Sequence, residues 1–364
     1  MKTSELEYFL PPEQIAQASV RPRDASKLLV VDAASKKTQH MVFRDIETLL
    51  RRGDVLVFNN TKVFRARLRG KTKNGGDVEI LLVRPVADGG FECLGKPAKR
   101  LRVGDEIIFS DVVHGSVRVR RENGEFVMDF FRAHRGVHGS EQVKNSKSMS
   151  QSAVIRFANV HGEIPLPPYV ANGPEKLSQY QTVYARHVGS VAAPTAGFHF
   201  TRSLRARLLK KGVQFAEVTL HVGIGTFQTI KTDEIDEHKM HSELVDISLR
   251  DAKKIAAAHS ARRRVIAVGT TTTRALEGAS DAVLSGRAWT GDVHMFIRPG
   301  YKFQVISGLI TNFHLPKSTL LLLVGALIQE KTGADGIPHL KKLYSEAIAR
   351  NYRFFSFGDA MLIS

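Results

Sequence analysis

With 364 residues, 43% hydrophobic and 24% charged, the chain can bury a sizeable core and exceeds the roughly 250 to 300 residues at which single cores stop growing, so two folded domains are expected. A formal charge of +17 and a pI near 10 point to a polyanionic partner, nucleic acid first, although charge alone serves a merely basic soluble protein equally well. The single cysteine, Cys93, excludes intrachain disulfides, cysteine-rich zinc sites and multi-cysteine iron–sulfur clusters.

The polar, acidic stretch Met1–Leu10 has no secretory pattern. The longest apolar run, Leu320–Ile328, is far short of the roughly 20 residues that span a bilayer. A cytoplasmic location without a membrane partner is therefore expected. Leu28–Val31 and Val55–Phe58 have the character of short buried strands, and Asp45–Arg52 between them carries helical spacing with Gly53 as its stop. From about Arg65 to Phe157 the texture changes to short β-type runs broken by Gly, Asp and Asn: Val78–Val83, Phe91–Leu94, Glu106–Phe109, Val113–Arg120, Phe126–Phe131 and Val154–Phe157. This spacing predicts a small antiparallel β-barrel, residues 65–157, inserted into an α/β main domain made of residues 1–64 and 158–364. Arg135–Ser152 is rich in Ser, Gly and Lys without apolar period, which predicts a flexible surface loop. The α/β texture then returns. Helices are predicted over Glu175–Arg186, over Thr201–Lys211 with Gly212 as its stop, and over Ser248–Arg263, where Ser248 and Asp251 have capping-box spacing. Strands Gln214–Leu220 and Val265–Gly269 follow two of them, as in a layered sheet.

Four stretches carry residue types suited to chemistry. Gly189–Thr201 combines small residues with Pro194, Thr195, Gly197 and Phe198, leaving room for a ligand near backbone amides, and sets His199 just before a helix start. A tight packing turn is the plain alternative. His221-Val222-Gly223-Ile224-Gly225 ends a strand, where α/β sheets hold ligands; without a third glycine and a following helix it is no dinucleotide fingerprint. Val265–Gly269 runs into Thr270-Thr271-Thr272-Thr273-Arg274, whose hydroxyls, helix-start amides and guanidinium suit a carboxylate or phosphate, or simply cap the helix. Asn312-Phe313-His314-Leu315-Pro316-Lys317-Ser318-Thr319 gathers polar groups around the start of the apolar helix from Leu320. His238 and His241, taken with His199 and His221, do not have zinc-ligand spacing, so no metal is expected. Lys96, Lys99, Arg100 and Arg102 form a dense basic turn in the barrel, and Arg262, Arg263 and Arg264 end a helix; each is an RNA-phosphate site or a solvated charged face.

These stretches, together with Leu10-Pro11-Pro12-Glu13-Gln14-Ile15-Ala16, Arg23-Asp24-Ala25-Ser26, Gly162-Glu163-Ile164-Pro165-Leu166-Pro167-Pro168-Tyr169, Tyr180-Gln181-Thr182-Val183-Tyr184-Ala185 and Phe355-Ser356-Phe357-Gly358-Asp359-Ala360-Met361-Leu362, give the chain a resemblance over nearly its whole length. It resembles the S-adenosylmethionine:tRNA ribosyltransferase-isomerases of the queuosine pathway. The resemblance implies an α/β domain with an inserted β-barrel. It also implies transfer of the ribosyl part of S-adenosylmethionine to 7-aminomethyl-7-deazaguanine in the tRNA anticodon, with loss of adenine and methionine and formation of epoxyqueuosine. The expected partners are S-adenosylmethionine, as a cosubstrate rather than a resident cofactor, and the anticodon stem-loop of tRNA, with the chain acting as a monomer. Asn60 stands where the family has an Asp, Ala171-Asn172 where an Arg follows Pro-Pro-Tyr, and Gln228 where an Arg follows Gly-Thr-Phe.

The sulfonium acidifies the C5′ hydrogens of the cosubstrate, so a base that removes one generates an ylide able to expel adenine. His199 is the first candidate for proton transfer, with His221 and His314 as alternatives. Thr271, Thr272 and Arg274 are the candidates for the methionine carboxylate, and Phe198, Phe200 or Phe313 for a cation–π contact with the sulfonium. Thr195, Gly197, Gly223, Gly225, Asn312, Lys317, Ser318 and Thr319 complete the expected substrate pocket, and Lys96, Lys99, Arg100 and Arg102 the expected RNA contacts. The rivals are an S-adenosylmethionine-dependent RNA methyltransferase, a noncatalytic tRNA-binding protein and a histidine-metal hydrolase.

Overall fold

A computed structural model describes residues 1–32, 37–98, 101–121, 124–132, 147–167, 169–171, 173–174, 176–223, 229–238, 240 and 242–364. After three short turns, β1 (Lys27–Asp32) and β2 (Lys37–Val42) pair antiparallel, a four-residue α1 (Ile46–Leu49) follows, and β3 (Val55–Asn59) and β4 (Thr61–Val63) lead into a run of seven strands. These are β5 (Arg67–Thr72), β6 (Asp77–Pro85), β7 (Phe91–Lys96), β8 (Glu106–Ser110), β9 (Val113–Arg120), β10 (Phe126–Arg132) and the two-residue β11 (Lys147–Ser148). Helix α2 (Gln151–His161) and strand β12 (His187–Ser190) return the chain to an alternating pattern: α3 (Arg202–Lys211), β13 (Gln214–Leu220), β14 (Glu243–Ile247), α4 (Leu249–Ser260), β15 (Val265–Val268) and α5 (Thr270–Gly278). The chain closes with α6 (Ser280–Leu284), β16 (Trp289–Val293), β17 (Gly308–Asn312), α7 (Thr319–Thr332), α8 (Gly336–Ala349) and β18 (Ala360–Ile363).

The nine-stranded main sheet has the order β16-β14-β13-β3-β15-β17-β18-β1-β2, and its four central strands β13, β3, β15 and β17 are mutually parallel. These strands are apolar on both faces because helices cover both faces. On one side Leu56, Phe58, Ile266, Val268 and Ile310 pack with Leu204 and Leu208 of α3. On the other, Val55, Val57, Val265, Ala267 and Leu309 pack with α4, α5, α7 and α8. Helix α7 is buried nearly all round from Leu321 to Ile328, as expected of a helix with no polar face.

Six strands, in the order β10-β7-β6-β5-β8-β9, form a second, antiparallel sheet that closes into a barrel by pairing β9 with β10. Alternate residues of each strand, among them Leu68, Ile80, Leu82, Phe91, Cys93, Ile107, Val117 and Met128, fill its interior, and burial pushes the Cys93 thiol pKa up. The α/β-plus-barrel class expected from the sequence is therefore the one observed.

Local expectations fail at three places. Val154–Phe157 is part of α2 and not a strand: Ser150 caps the helix by accepting from Ala153 N, and Val154 and Ala158, four residues apart, lie against the barrel core. The helix expected over Glu175–Arg186 is only a 3-10 turn at Leu177–Tyr180, followed by a bend and a turn in which Ala185 N donates to Thr182 O, with Tyr180, Thr182 and Tyr184 buried and Val183 exposed. That two-residue period overrides the helical spacing. Of the loop expected over 135–152, residues 135–146 lie outside the described residues, Lys147–Ser148 pair with β10, and α2 begins at Gln151.

Candidate active site

Parallel strands present their carboxyl ends to the same edge of a sheet, and ligands of such sheets lie there. In this chain that edge carries Asn59-Asn60-Thr61 after β3, His221 after β13, Gly269–Thr271 after β15 and Asn312–His314 after β17. A cleft of about 710 Å³, counting its open mouth, lies over the ends of β15 and β17. Its walls are Ala193–Ala196, Gly269–Thr271, Thr311–Leu315, Ser318 and Leu320, closed on the far side by Tyr169, Phe355 and Ser356.

A chain of hydrogen bonds fixes the floor. Thr195 Oγ1 donates to Asn312 Oδ1 at 2.9 Å, and the Asn312 amide nitrogen faces His199 Nε2 at 3.3 Å. His199 Nδ1 is 2.7 Å from Ser26 Oγ, and the ring stacks on Phe43 with centroids 4.8 Å apart. Because the Asn312 amide can only donate, Nε2 is the acceptor and Nδ1 carries the hydrogen. Burial lowers the His199 pKa to about 3, with Arg353 and Arg23 adding to the effect and a backbone hydrogen bond at Arg23 opposing it. His314 lines the cleft itself, with Nε2 2.9 Å from Thr311 Oγ1, and burial lowers its pKa to about 3 as well. Both rings are neutral at physiological pH. The loop that carries His314 is held by the N-terminal segment: Tyr8 OH donates to the His314 carbonyl, Glu7 pairs with Lys317, and Lys317 N donates to Leu6 O.

Two glycines serve this geometry. Gly269 has φ +95°, a left-handed value open to glycine at little cost, and it turns the chain from β15 into α5. A Cβ on Gly197 would stand 1.8 Å from Tyr184 OH, so the Thr195–His199 turn approaches the 180–184 segment only without a side chain there.

A sequence model of the family described as queuosine biosynthesis protein matches residues 3–363. The chain belongs to that family. The S-adenosylmethionine:tRNA ribosyltransferase-isomerases of Thermotoga maritima and Symbiobacterium thermophilum are 42% and 44% identical to it, each alignment covering 100% of both chains. A crystal structure of the S-adenosylmethionine tRNA ribosyltransferase of Thermotoga maritima is similar to it with a TM-score of 0.54 and 34% identity, over 99% of this chain and 100% of that one.

In this member of the queuosine biosynthesis family, Thr195, Thr271, Asn312, Phe313, His314 and Ser318 meet in the cleft as the sequence suggested. His199 lies one side chain behind it, with the Asn312 amide between. His221 stands under Thr61, Nδ1 to Oγ1 2.9 Å, with its pKa lowered by burial and by His187; its neighbour Val222 is the residue that reaches the cleft. Arg274 does not line it: its guanidinium is buried against Glu243 at 2.6 Å and donates to Met295 O. Thr272 donates to Val268 O at the end of β15, while Thr319 and Gly223 stand outside the lining. Gly197 packs under Tyr184, Phe198 faces the Arg23 guanidinium at 4.8 Å, and Phe200 is core between Phe43 and Phe58.

Lys96 and Arg102 are exposed on the barrel. Arg264 is spent on Asp54 and Leu49 O at the opposite, amino edge of the main sheet. Gly225, Lys99, Arg100, His241, Asn172 and Gln228 lie outside the described residues. Among the described residues no group of three or more His, Cys, Asp or Glu is placed to hold a metal ion, and no helix is long and apolar enough to cross a membrane.

Sequence reasoning passed over Tyr169, Thr311, Phe355 and Ser356. Tyr169 and Phe355 pack with ring centroids 4.0 Å apart, Tyr169 OH meets Ser356 Oγ, and Phe355 has φ +74°. A bulky residue in the left-handed region is strained, and such strain concentrates at functional sites. The Asn60 departure has a local reason. Its amide donates to Glu217 Oε2 at 3.1 Å and accepts from Thr219, while Arg186 holds both oxygens of Glu217. Next to a buried carboxylate, an amide serves where a second carboxylate would repel.

Proposed function

We propose that the protein transfers and isomerises the ribosyl moiety of S-adenosylmethionine onto 7-aminomethyl-7-deazaguanine in the tRNA anticodon, giving epoxyqueuosine-tRNA and releasing adenine and methionine. The observation that carries this reading is the convergence of Thr195, Thr271, Asn312, His314 and Ser318 on one cleft, in a chain that matches ribosyltransferase-isomerases over its full length. The cosubstrate brings a sulfonium cation. Burial keeps His199 and His314 uncharged, so neither repels that cation, and an aromatic wall of Phe313 and Phe355 offers ring faces to it. His314, which touches the cleft, is the proton-transfer candidate that reaches a substrate directly. His199 is a positioning residue that sets the Asn312 amide, and through it the Thr195 hydroxyl.

Holding two large substrates in one geometry supplies roughly 7 to 11 kcal/mol of a barrier, more than a single proton transfer. That weight on positioning agrees with a cleft built of amides, hydroxyls and rings. The tRNA is gripped on the barrel at Lys96, Lys99, Arg100 and Arg102. Residues 1–64 with 158–364 form the catalytic domain, 65–157 the inserted one, and the chain works in the cytoplasm as a monomer, with no resident cofactor.

The test is to incubate the protein with S-adenosylmethionine and precursor-bearing tRNA and identify the released small molecules by mass spectrometry. Adenine and methionine are expected. S-Adenosylhomocysteine would make the protein a methyltransferase, and binding of tRNA without turnover would make it a noncatalytic binder.

A further inference from the structure

We propose that the buried end of the cleft is a carboxylate site without a cationic side chain, formed by Ser318 with the first amides of α7 and α5, and that it takes the carboxylate of the methionyl end of S-adenosylmethionine. The inference rests on the function proposed above and assigns one end of its cosubstrate.

Two helices open on the same wall. Helix α7, of 14 residues, presents Ser318 and Leu320 to the cleft, and α5, of nine, presents Gly269, Thr270 and Thr271. The first turn of a helix carries amides with no acceptor inside the helix and a fractional positive charge, which together attract an anion. In α5 the backbone bond of Thr273 N to Gly269 O leaves the amides before it in that position. In α7 the bond of Leu321 N to Ser318 O does the same for Thr319 and Leu320.

The side chain of Ser318 is an independent sign of a ligand. Ser150, Thr201 and Ser248 occupy the same cap position on α2, α3 and α4, and each accepts a hydrogen bond from its own helix. Ser318 does not: it is only 7% exposed, it lines the cleft, and its Oγ has no hydrogen-bond partner among the described residues. A buried hydroxyl left unpaired carries a desolvation penalty that an acceptor on a ligand removes.

The surroundings choose between acceptors. The cations that the sequence places nearby are engaged elsewhere, Arg274 with Glu243 and Lys317 with Glu7, and Phe313, Val222 and Leu320 add apolar surface. A doubly charged phosphate buried there would lack a countercharge. A singly charged, planar carboxylate is matched by amide and hydroxyl donors alone.

Ser318→Gly removes the hydroxyl but keeps a residue that helix caps tolerate, and Ser318→Thr keeps the hydroxyl. The experiment measures kcat/KM of wild type and both variants with S-adenosylmethionine and with decarboxylated S-adenosylmethionine. The expected result is that Ser318→Gly narrows the preference for the carboxylate-bearing substrate by roughly 10-fold, and that Ser318→Thr restores it. Equal losses on the two substrates, or a change confined to the KM for tRNA, overturn the assignment. On wild-type protein, free methionine inhibits roughly 10-fold more tightly than its amide if the site is as described; equal inhibition overturns it, whether or not the variants fold. Wild type that turns over neither cosubstrate would instead sink the ribosyl-transfer reading.

Discussion

Lowering the pH from 7 toward 5 protonates His199 and His314 in the unfolded chain and not in the folded one. Their folded-state values of about 3 lie below the ordinary 6.5, so between these limits the unfolded chain binds more protons. The stability they confer is complete above pH 6.5 and drains as the pH falls toward 3. Each pH unit below the unfolded value costs a little over 1 kcal/mol per group, so going from pH 7 to 5.5 removes about 1 kcal/mol per histidine and roughly 2 kcal/mol for the pair. His221 is shifted in the same direction and adds to the loss. Carboxylates release or take up most of their protons below about pH 5, so the window isolates the histidines. Trp289, the only tryptophan, lies on β16 of the main sheet, and its fluorescence in urea at the two pH values follows the part of the molecule that contains both rings. His199→Gln should lose about half of the pH-dependent drop. If the His199→Gln, His314→Gln double variant declines with pH in parallel with wild type, burial is not what holds these rings neutral.

Three further outcomes follow from single contacts. Phe355 sits at φ +74°, where an L side chain costs about 1 to 2 kcal/mol, so Phe355→Gly should be more stable than Phe355→Ala by about that amount, the reverse of the usual order; equal melting temperatures would remove the strain argument. Asn60→Asp puts a second carboxylate against buried Glu217, so one of the two takes a raised pKa. The melting temperature of that variant should fall relative to wild type as the pH rises from 6 to 8, and a constant difference would count against the pairing. Arg274→Met removes the guanidinium paired with the buried Glu243 carboxylate and should cost about 3 to 5 kcal/mol of stability, while the KM for S-adenosylmethionine in the folded fraction stays within about twofold. A large rise in KM would return Arg274 to the substrate.

The legible parts of the sequence were those that local physics decides. The caps Thr201 and Ser248 and the stop at Gly212 set α3 and α4 within a few residues, and the regular short β runs between turn residues gave the barrel. Two other features depend on distant partners. Tyr180, Thr182 and Tyr184 alternate because Gly197, many residues on, leaves space for the Tyr184 hydroxyl, and nothing inside that stretch distinguishes this from a helix face. The four polar stretches of the site were visible because strand ends in parallel sheets collect functional groups. The roles within them were not. Arg274 looked like an anion ligand until β14 placed Glu243 beside it, and Phe355 was invisible because only the fold gives it a positive φ.

The cleft of a chain with a formal charge of +17 is walled by uncharged groups, and the pairing scheme explains how. Arg274 is neutralised by Glu243 and Lys317 by Glu7, each across two segments of the chain, and Arg353 by Asp359 within the connection from α8 to β18. His199 and His314 are kept neutral by burial. Positive charge is thus available on the surface, where it attracts phosphates over about 8 to 10 Å of screened solution, and is withheld from the site proposed for the sulfonium. Charge of either sign fixed in the cleft would act against one end of a cosubstrate that is cationic at sulfur and anionic at its carboxylate. In the binding mode proposed above, dipolar groups attract the anionic end at the α5 and α7 starts and leave the cationic sulfur to ring faces such as Phe313, which lines the cleft. On this argument, introducing a permanent charge at Thr271 by Thr271→Lys or Thr271→Asp should impair S-adenosylmethionine binding in both directions, whereas the isosteric Thr271→Val should impair it less. A lysine variant that binds the cosubstrate more tightly than wild type, measured by calorimetry, would show that the cleft wants a cation after all.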